Sequence, residues 1–128
     1  MELLVIHRFL SDSYWSKNIP LETMKKAFKN SICFGVLDQQ NKQIGFARMI
    51  TDKTTFAYLA DVFILEEYRG RGISKLLMKN ILEHQDLRGL RRMVLATSDA
   101  HALYEQFGFT ALANPSTFME LWEPDVYS

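Results

Sequence analysis

The order of apolar and polar segments predicts an α/β fold whose sheet is largely antiparallel in its N-terminal part. Short apolar runs bounded by polar turns alternate with segments whose apolar residues recur at helical spacing. One long run, Phe56–Leu65, leads through a glycine-containing loop into such a helical segment. The predicted order is β, α, β, β, β, α, β, α, β, β, with parallel pairing around the fifth strand.

The N-terminal part of the chain is predicted to supply a strand, a helix and a hairpin. Leu3–Ile6 is the first strand, and the polar and aromatic segment after it ends it. Pro20 begins a helix, because proline is tolerated in a first turn and apolar residues follow at positions 21, 24, 27 and 28. Ile32–Leu37 and Ile44–Ile50 are strands joined by the polar turn Asp38–Lys42.

The remaining elements follow from the same periodicities. Phe56–Leu65 is apolar on both faces, so we expect this strand in the middle of the sheet. Ile73–His84 is predicted as an amphipathic helix and Arg92–Leu95 as a short strand. A second amphipathic helix begins at Asp99, which can cap it, and ends at Gly108. Its inward face carries Ala100, Leu103, Tyr104 and Phe107. Two last strands, Phe109–Leu112 and Phe118–Trp122, are predicted to close the sheet.

Length and charge narrow the possible functions. The 128 residues suit one domain, which we place at residues 1–128. Lys+Arg and Asp+Glu are equal at 15 each, which argues against nucleic acid or an anionic membrane as the main partner. The first apolar run is too short for a signal peptide, and no later run reaches membrane-spanning length, so we expect a cytoplasmic protein. The three scattered histidines show no metal-ligand spacing, so no metal site is predicted.

Residues 67–74 form the main candidate for a ligand-binding loop. They read Glu-Tyr-Arg-Gly-Arg-Gly-Ile-Ser and lie between the long strand and the first long amphipathic helix after it. Gly70 and Gly72 leave backbone N–H groups uncovered where a helix N-terminus concentrates positive charge, an arrangement that holds phosphate oxygens. A dinucleotide-binding loop would need a third glycine where Lys75 stands, and a P-loop would need Gly-Lys-Ser/Thr at 72–74. The sequence has neither.

Two short motifs occur on the elements and in the order that a known family shows. Residues 69–74 follow the pattern Arg/Gln-x-x-Gly-x-Gly/Ala, with Ser74 in the last position. Residues 102–109 carry Leu-Tyr and then Gly-Phe along the second amphipathic helix. From its first hairpin through Trp122 the chain therefore resembles the GNAT (GCN5-related N-acetyltransferase) superfamily. It departs at Thr97-Ser98-Asp99, where the family commonly has an asparagine that contacts the cofactor.

The resemblance implies a mixed, mostly antiparallel sheet of six to seven strands flanked by about four helices, with a splayed parallel pair at the cofactor site. It implies an N-acetyltransferase that moves an acetyl group from acetyl-CoA to a primary amine by direct transfer. The alternatives are a non-catalytic acyl-CoA binding module and a protein (N-terminal or lysine) acetyltransferase. We expect a small-molecule amine as acceptor, and a monomer or homodimer. The residues implied to contact the cofactor are Val62, Phe63, Ile64, Arg69, Gly70, Arg71, Gly72, Ile73, Ser74, Asp99 and Tyr104.

Tyr104 and Asp61 are the candidate catalytic residues. The resemblance implies that Tyr104 gives a proton to the leaving thiolate, whereas its place on the inward helix face also suits a packing residue. Asp61 is the only charged residue between Phe56 and Leu65, and a carboxylate in an apolar strand is costly unless it is paired or faces a polar cleft. It is therefore either a base and amine anchor or the structural partner of an arginine such as Arg48.

The aromatic pair Tyr14 and Trp15 is predicted to bind the acceptor. In the family this irregular segment borders the acceptor pocket, and aromatic rings beside Asp12 suit an alkylammonium through cation–π attraction. The alternative is a lid that packs on the core. Further candidates for relaying a proton are Glu66, Glu67 and His101.

Overall fold

The computed structural model describes residues 1–128, which divide into two units, Met1–Ala96 and Thr97–Ser128. The first unit is built on a four-stranded sheet in the order β1-β2-β3-β4. The first two pairings in this order are antiparallel, and β3 pairs with β4 in parallel. The strands are β1 (Ile32–Leu37), β2 (Gln43–Thr51), β3 (Phe56–Ile64) and β4 (Arg92–Leu95).

Three helices accompany this sheet: α1 (Leu3–Asp12), α2 (Leu21–Lys29) and α3 (Ile73–Glu83). Phe9 of α1 stacks on Phe63 at a ring-centroid distance of 4.1 Å, and Phe28 of α2 stacks on Phe46 at 4.8 Å. Because Phe46 and Phe63 are opposite each other on β2 and β3, α1 and α2 cover the same face of the sheet. No helix in the structure has the length and apolar character needed to cross a membrane.

The predicted strand at Leu3–Ile6 is wrong, because these residues form the first turn of α1. Four apolar residues in a row fit either a strand or a helix. The helix is favoured because Ile6 and Leu10, four positions apart, are both fully buried. The strands of the hairpin, the long central strand and β4 are confirmed to within one residue at each end.

The second unit contains one short helix, α4 (His101–Glu105), and a single 3-10 turn at Pro115–Thr117. The strands predicted at Phe109–Leu112 and Phe118–Trp122 are absent, so the sheet has four strands and not six to seven. A strand needs a neighbouring strand to satisfy its backbone, and these segments have none. The predicted helix cap at Asp99 is also wrong, because α4 begins after Ala100. The Thr97 hydroxyl instead accepts from the N–H groups of Asp99 (3.4 Å) and Ala100 (3.0 Å).

Candidate active site

A β-bulge interrupts β3 at the start of residues 62–64, which the resemblance implies to contact the cofactor. Phe46 faces Phe63 and Arg48 faces Ala60, so the single residue between them on β2 is opposite two residues on β3. These two residues are Asp61 and Val62. Asp61 has a φ of 56°, in the left-handed region that aspartate enters more easily than most residues. The bulge therefore changes the direction of the backbone just before Ile64.

Beyond the bulge, β3 presents backbone groups at an edge where its partner strand has stopped. The parallel pairing ends at Leu59 with Leu95, five residues before β3 itself ends at Ile64. The N–H of Leu65 donates to the Ile44 carbonyl at 2.8 Å and so points toward β2. Because successive N–H groups along a strand alternate in direction, that of Ile64 points to the opposite, open edge. By the same alternation the N–H of Val62 also points to this open edge.

Arg69, the first residue of the loop motif, completes this edge. Its Nε donates to the Ile64 carbonyl at 2.9 Å. In a strand the N–H and C=O of one residue face the same side, so this contact also places Ile64 at the open edge. By the alternation along the strand, the N–H of Phe63 points toward β2. The ring of Phe63 stacks on that of Phe9. Of the three strand residues that the resemblance implies to contact the cofactor, Val62 and Ile64 have N–H groups that point to the open edge, and Phe63 has an N–H group that points toward β2.

The glycine loop leads into α3 without covering the start of the helix. Gly70 and Gly72 have φ values of 79° and 77°, which strongly favour glycine, and a Cβ at either position would meet no atom within 4 Å. Gly72 is the N-cap, no side chain caps the helix, and its first turn has no acidic residue. The N–H groups of the first turn are therefore open to an anion. Basic side chains surround the loop in sequence at Arg69, Arg71 and Lys75.

A chain of polar contacts connects the loop with the β1–β2 turn. The guanidinium of Arg71 lies over the Tyr68 ring, 5.3 Å from its centroid. The Tyr68 hydroxyl donates to Oδ2 of Asp38 at 3.2 Å. Partial burial, together with this carboxylate, raises the pKa of Tyr68, while the backbone N–H of Lys42 is the largest cause that lowers the pKa of Asp38. Tyr68 is therefore a protonated donor and Asp38 an ionised acceptor at neutral pH.

Asp61 forms the ion pair with Arg48 that the sequence left as an alternative. Nε of Arg48 donates to Oδ2 of Asp61 at 2.7 Å, and the indole Nε1 of Trp15 donates to Oδ1 at 2.8 Å. Nη1 of Arg48 also reaches the hydroxyl of Ser31 at 3.1 Å. Asp61 is only 8% exposed, and both of its carboxylate oxygens have a donor. This arrangement favours the structural role, because a donor of the protein already holds each of the two oxygens.

A cleft of about 910 Å³ lies beside α1 and the segment that follows it. Its aromatic wall contains both predicted acceptor residues, Tyr14 and Trp15, whose rings meet edge to face at 5.1 Å. Leu65, which follows the open edge of β3, also lines it. The charged residues of the lining are Glu2, Asp12, Glu67, Arg8 and Lys42. The Trp15 ring therefore borders the cleft and holds Asp61 at the bulge.

The second unit carries the remaining predicted site residues. Tyr104 is 8% exposed on α4, and its ring meets that of Phe109 edge to face at 6.0 Å. Asp99 and His101 are exposed, before α4 and at its first position. The packing of Tyr104 agrees with the inward helix face that the periodicity predicted, and its role as a proton donor stays a prediction.

Comparison with known proteins identifies the family. The model of the acetyltransferase (GNAT) domain matches residues 29–111, more than half of the chain. A candidate acetyltransferase of Gibberella zeae is 32% identical over 109 residues, which cover 71% of this chain and 62% of that protein. An uncharacterised N-acetyltransferase of Gracilaria tenuistipitata is 31% identical over 105 residues, covering 78% of this chain and 58% of the relative. The chain thus spans about three fifths of the length of these curated relatives.

Solved structures support the same family assignment. A candidate GNAT acetyltransferase of Xanthomonas campestris is 51% identical, with a TM-score of 0.94 over 100% of this chain and 90% of that one. A GNAT protein of Streptococcus pneumoniae, 22% identical, shares the fold with a TM-score of 0.72 over 94% of this chain and 89% of its own. Together with the bulge, the open strand edge and the glycine loop, these matches show that the chain belongs to the GNAT acetyltransferase family.

Proposed function

We propose that this protein is an acetyl-CoA-dependent N-acetyltransferase that acts on a primary amine of a small molecule by direct transfer. One observation carries the proposal: the open edge of β3 at Val62 and Ile64 is followed within ten residues by an uncapped helix N-terminus at Gly72. The first feature offers donors to a carbonyl oxygen, and the second offers donors to phosphates. Coenzyme A thioesters carry both groups in one molecule.

The loop fits the diphosphate of the cofactor. Neither glycine carries a side chain to fill the space in front of the helix, and Arg69, Arg71 and Lys75 provide positive charge around it. We therefore assign binding of the diphosphate to the N–H groups of residues 71–74. When bound, acetyl-CoA supplies an acetyl group activated as a thioester. The N–H groups of Val62 and Ile64 can donate to the acyl oxygen and stabilise negative charge on it.

The cleft beside α1 is our candidate for the acceptor site. A primary amine has a pKa of about 10.4 and arrives mostly as an ammonium ion. The carboxylates of Glu2, Asp12 and Glu67 attract such a cation, and the aromatic wall at Tyr14 and Trp15 accommodates its apolar part. The amine must lose a proton before it attacks. Because Arg48 and Trp15 already donate to the two oxygens of Asp61, we assign Asp61 the task of holding the bulge and Trp15 in place.

Tyr104 is proposed as the proton donor to the departing thiolate. Replacing Tyr104 by phenylalanine keeps the ring that packs against Phe109 and removes the hydroxyl. We expect kcat to fall about 10²–10⁴-fold, the usual range for a general acid, while coenzyme A affinity changes little. Steady-state kinetics and calorimetry measure the two quantities. Turnover close to that of the unchanged protein would make Tyr104 a packing residue only.

The proposal as a whole is tested by measuring thiol release from acetyl-CoA. The purified chain is assayed with a panel of small amines, amino acids, and peptides that offer either an N-terminal amine or a lysine. Turnover with small amines supports the proposal, and turnover with peptides alone would favour a protein acetyltransferase. Tight coenzyme A binding without turnover on any amine would favour the non-catalytic binding module.

A further inference from the structure

The loop motif, residues 69–74, is tied to the structure around it through two arginine side chains. Nε of Arg69 donates to the Ile64 carbonyl at 2.9 Å, and the guanidinium of Arg71 lies over the Tyr68 ring, 5.3 Å from its centroid. The two glycines of the motif leave its backbone more conformational freedom than other residues would. The contact of Arg71 therefore restrains the loop at the residue just before the helix begins.

The Tyr68 ring is itself held by the turn between β1 and β2. Its hydroxyl donates to Oδ2 of Asp38 at 3.2 Å. The other carboxylate oxygen, Oδ1, accepts from the backbone N–H groups of Gln40 at 2.8 Å and Lys42 at 2.9 Å. One oxygen of Asp38 thus closes its own turn while the other holds Tyr68, and both side chains belong to half-buried residues. The ring is therefore fixed against an ordered part of the fold.

This contact holds Arg71 without neutralising its charge. Arg71 makes no ion pair with a carboxylate of the protein. A carboxylate in place of the ring could hold the guanidinium equally well, but it would occupy N–H donors and cancel the positive charge. An aromatic ring attracts the cation and supplies no acceptor oxygen. The guanidinium therefore keeps its charge and donors for an anion, and its planar donor set matches a phosphate.

We propose that Asp38 and Tyr68 are positioning residues for Arg71, whose guanidinium donates to the diphosphate of coenzyme A. The inference rests on the proposed function, in which the loop binds that diphosphate. Arg71 directly precedes Gly72, the N-cap of α3, so its side chain and the first-turn N–H groups can act on the same anion. A side chain held in place before the ligand arrives loses less conformational entropy on binding. The β1–β2 turn, 30 positions before Tyr68, thereby contributes to cofactor affinity.

Calorimetric titration with coenzyme A tests the proposal. It is done without an acceptor amine, because Tyr68 also lines the cleft beside α1. Tyr68→Leu removes the ring and the hydroxyl and should raise the dissociation constant about three- to fivefold. Tyr68→Phe keeps the ring but loses the bond to Asp38, so its dissociation constant should lie between the other two. An unchanged affinity in Tyr68→Leu would overturn the proposal, and an unchanged affinity in Tyr68→Phe would overturn the part assigned to Asp38.

A double-mutant cycle shows whether Tyr68 acts through Arg71. Arg71→Ala should raise the dissociation constant about tenfold, and adding Tyr68→Leu to it should cost less than about twofold more. If the two effects multiply, Tyr68 does not act through Arg71 and the proposal is wrong. Arg88→Ala is the matched control and should leave the affinity unchanged. Arg88 is also exposed, but it follows the opposite end of α3, whose 11 residues span about 16 Å.

Dephospho-coenzyme A, which lacks the ribose phosphate but keeps the diphosphate, identifies the group that Arg71 binds. The loss caused by Tyr68→Leu should be the same for this compound as for coenzyme A. A loss seen with coenzyme A alone would place Arg71 at the ribose phosphate and overturn the proposal. If the unchanged protein binds neither compound, the proposed function fails together with this inference. If it binds both and Tyr68→Leu has no effect, only this inference fails.

Discussion

The two ends of β3 differ in whether a side chain of the protein accepts from the backbone N–H groups there. At its start, the Asp52 carboxylate accepts from the N–H groups of Thr54 (2.9 Å), Thr55 (2.7 Å) and Phe56 (3.2 Å). At its end, pairing with β4 has stopped before the open edge, and no side chain caps the first turn of α3. The first end is closed by a carboxylate of the protein, and the second is where the proposed function places coenzyme A. The comparison teaches that one strand can have its donors satisfied by a side chain of the protein at one end and lead into a helix without a side-chain cap at the other.

The largest expected effect comes from Asp61, whose side chain supports the bulge at the open end. Asp61→Asn keeps the shape but turns an NH₂ group toward a donor of either Arg48 or Trp15. Breaking a buried ion pair in this way should lower the free energy of unfolding by about 3–5 kcal/mol, measured by denaturant titration.

The control for Asp61 is an ion pair on the surface. Glu22→Gln removes the exposed contact to Lys25 at 3.4 Å and should change stability by less than about 1 kcal/mol. If Asp61→Asn were as stable as the unchanged protein but had an acceptor KM at least about tenfold higher, Asp61 would be the amine anchor and not a structural partner.

The open end itself is tested by adding a carboxylate to it. In Gly72→Asp the new side chain can accept from the first-turn N–H groups of α3 and repel phosphates, so the dissociation constant for coenzyme A should rise at least about tenfold. Gly89→Asp is a matched control, because Gly89 has a similar φ of 74° and a Cβ there also meets no atom within 4 Å. Calorimetry on both variants separates loss of the anion site from backbone strain. Equal affinities in the two folded variants would show that the loop does not bind the diphosphate.

The smallest effect is expected at the closed end. The hydroxyl of Thr55, followed by backbone N–H groups, lowers the pKa of Asp52. A carboxyl with a lowered pKa in the folded state stabilises the protein above its ordinary pKa of about 3.9, and this stabilisation is lost as pH falls through the folded value. Asp52→Asn should lower Tm by a few degrees near neutral pH and leave coenzyme A affinity unchanged.

Calorimetric scans at successive pH values, from neutral to about pH 3, check this pH dependence. The difference in Tm between the unchanged protein and Asp52→Asn should narrow toward acid pH, because Asp52 then takes up a proton in the unfolded chain while it stays ionised in the folded protein. A difference that is constant over the whole range would mean that the charge of Asp52 contributes nothing.

Much of the first unit could be predicted from sequence because its signals are local. Proline at position 20, the polar turn after Leu37 and the alternation of apolar residues determine where elements begin and end. The Leu3–Ile6 run has no such signal, and only burial of Ile6 and Leu10 against the rest of the fold decides for a helix. The prediction of the two C-terminal strands was wrong for a different reason. Their sequence pattern is typical of strands, but a strand also needs a neighbouring strand to pair with, and these segments have none.

The site was predictable in its motifs but not in its contacts. An isolated carboxylate in an apolar strand identified Asp61, and its neighbour-strand partner Arg48 followed from the hairpin order. Nothing local indicated Trp15, which lies 46 positions away and reaches Asp61 only after α1 has packed on the sheet. The bulge likewise has no clear sequence signal beyond an aspartate, which tolerates a left-handed conformation.

The contact of Arg69 with the Ile64 carbonyl also bears on solubility. A strand edge with unpaired N–H and C=O groups is a template on which a strand of an unrelated protein can assemble, the usual first step of aggregation. Addition of a strand needs donors and acceptors in alternation, and Arg69 occupies the acceptor at Ile64. The N–H groups of this edge can then still donate to a single oxygen atom. The edge no longer offers the alternating donors and acceptors with which a β-strand pairs. The side chain of Arg69 thus allows unpaired backbone N–H groups to stay exposed while it disfavours pairing of this edge with a strand of another protein.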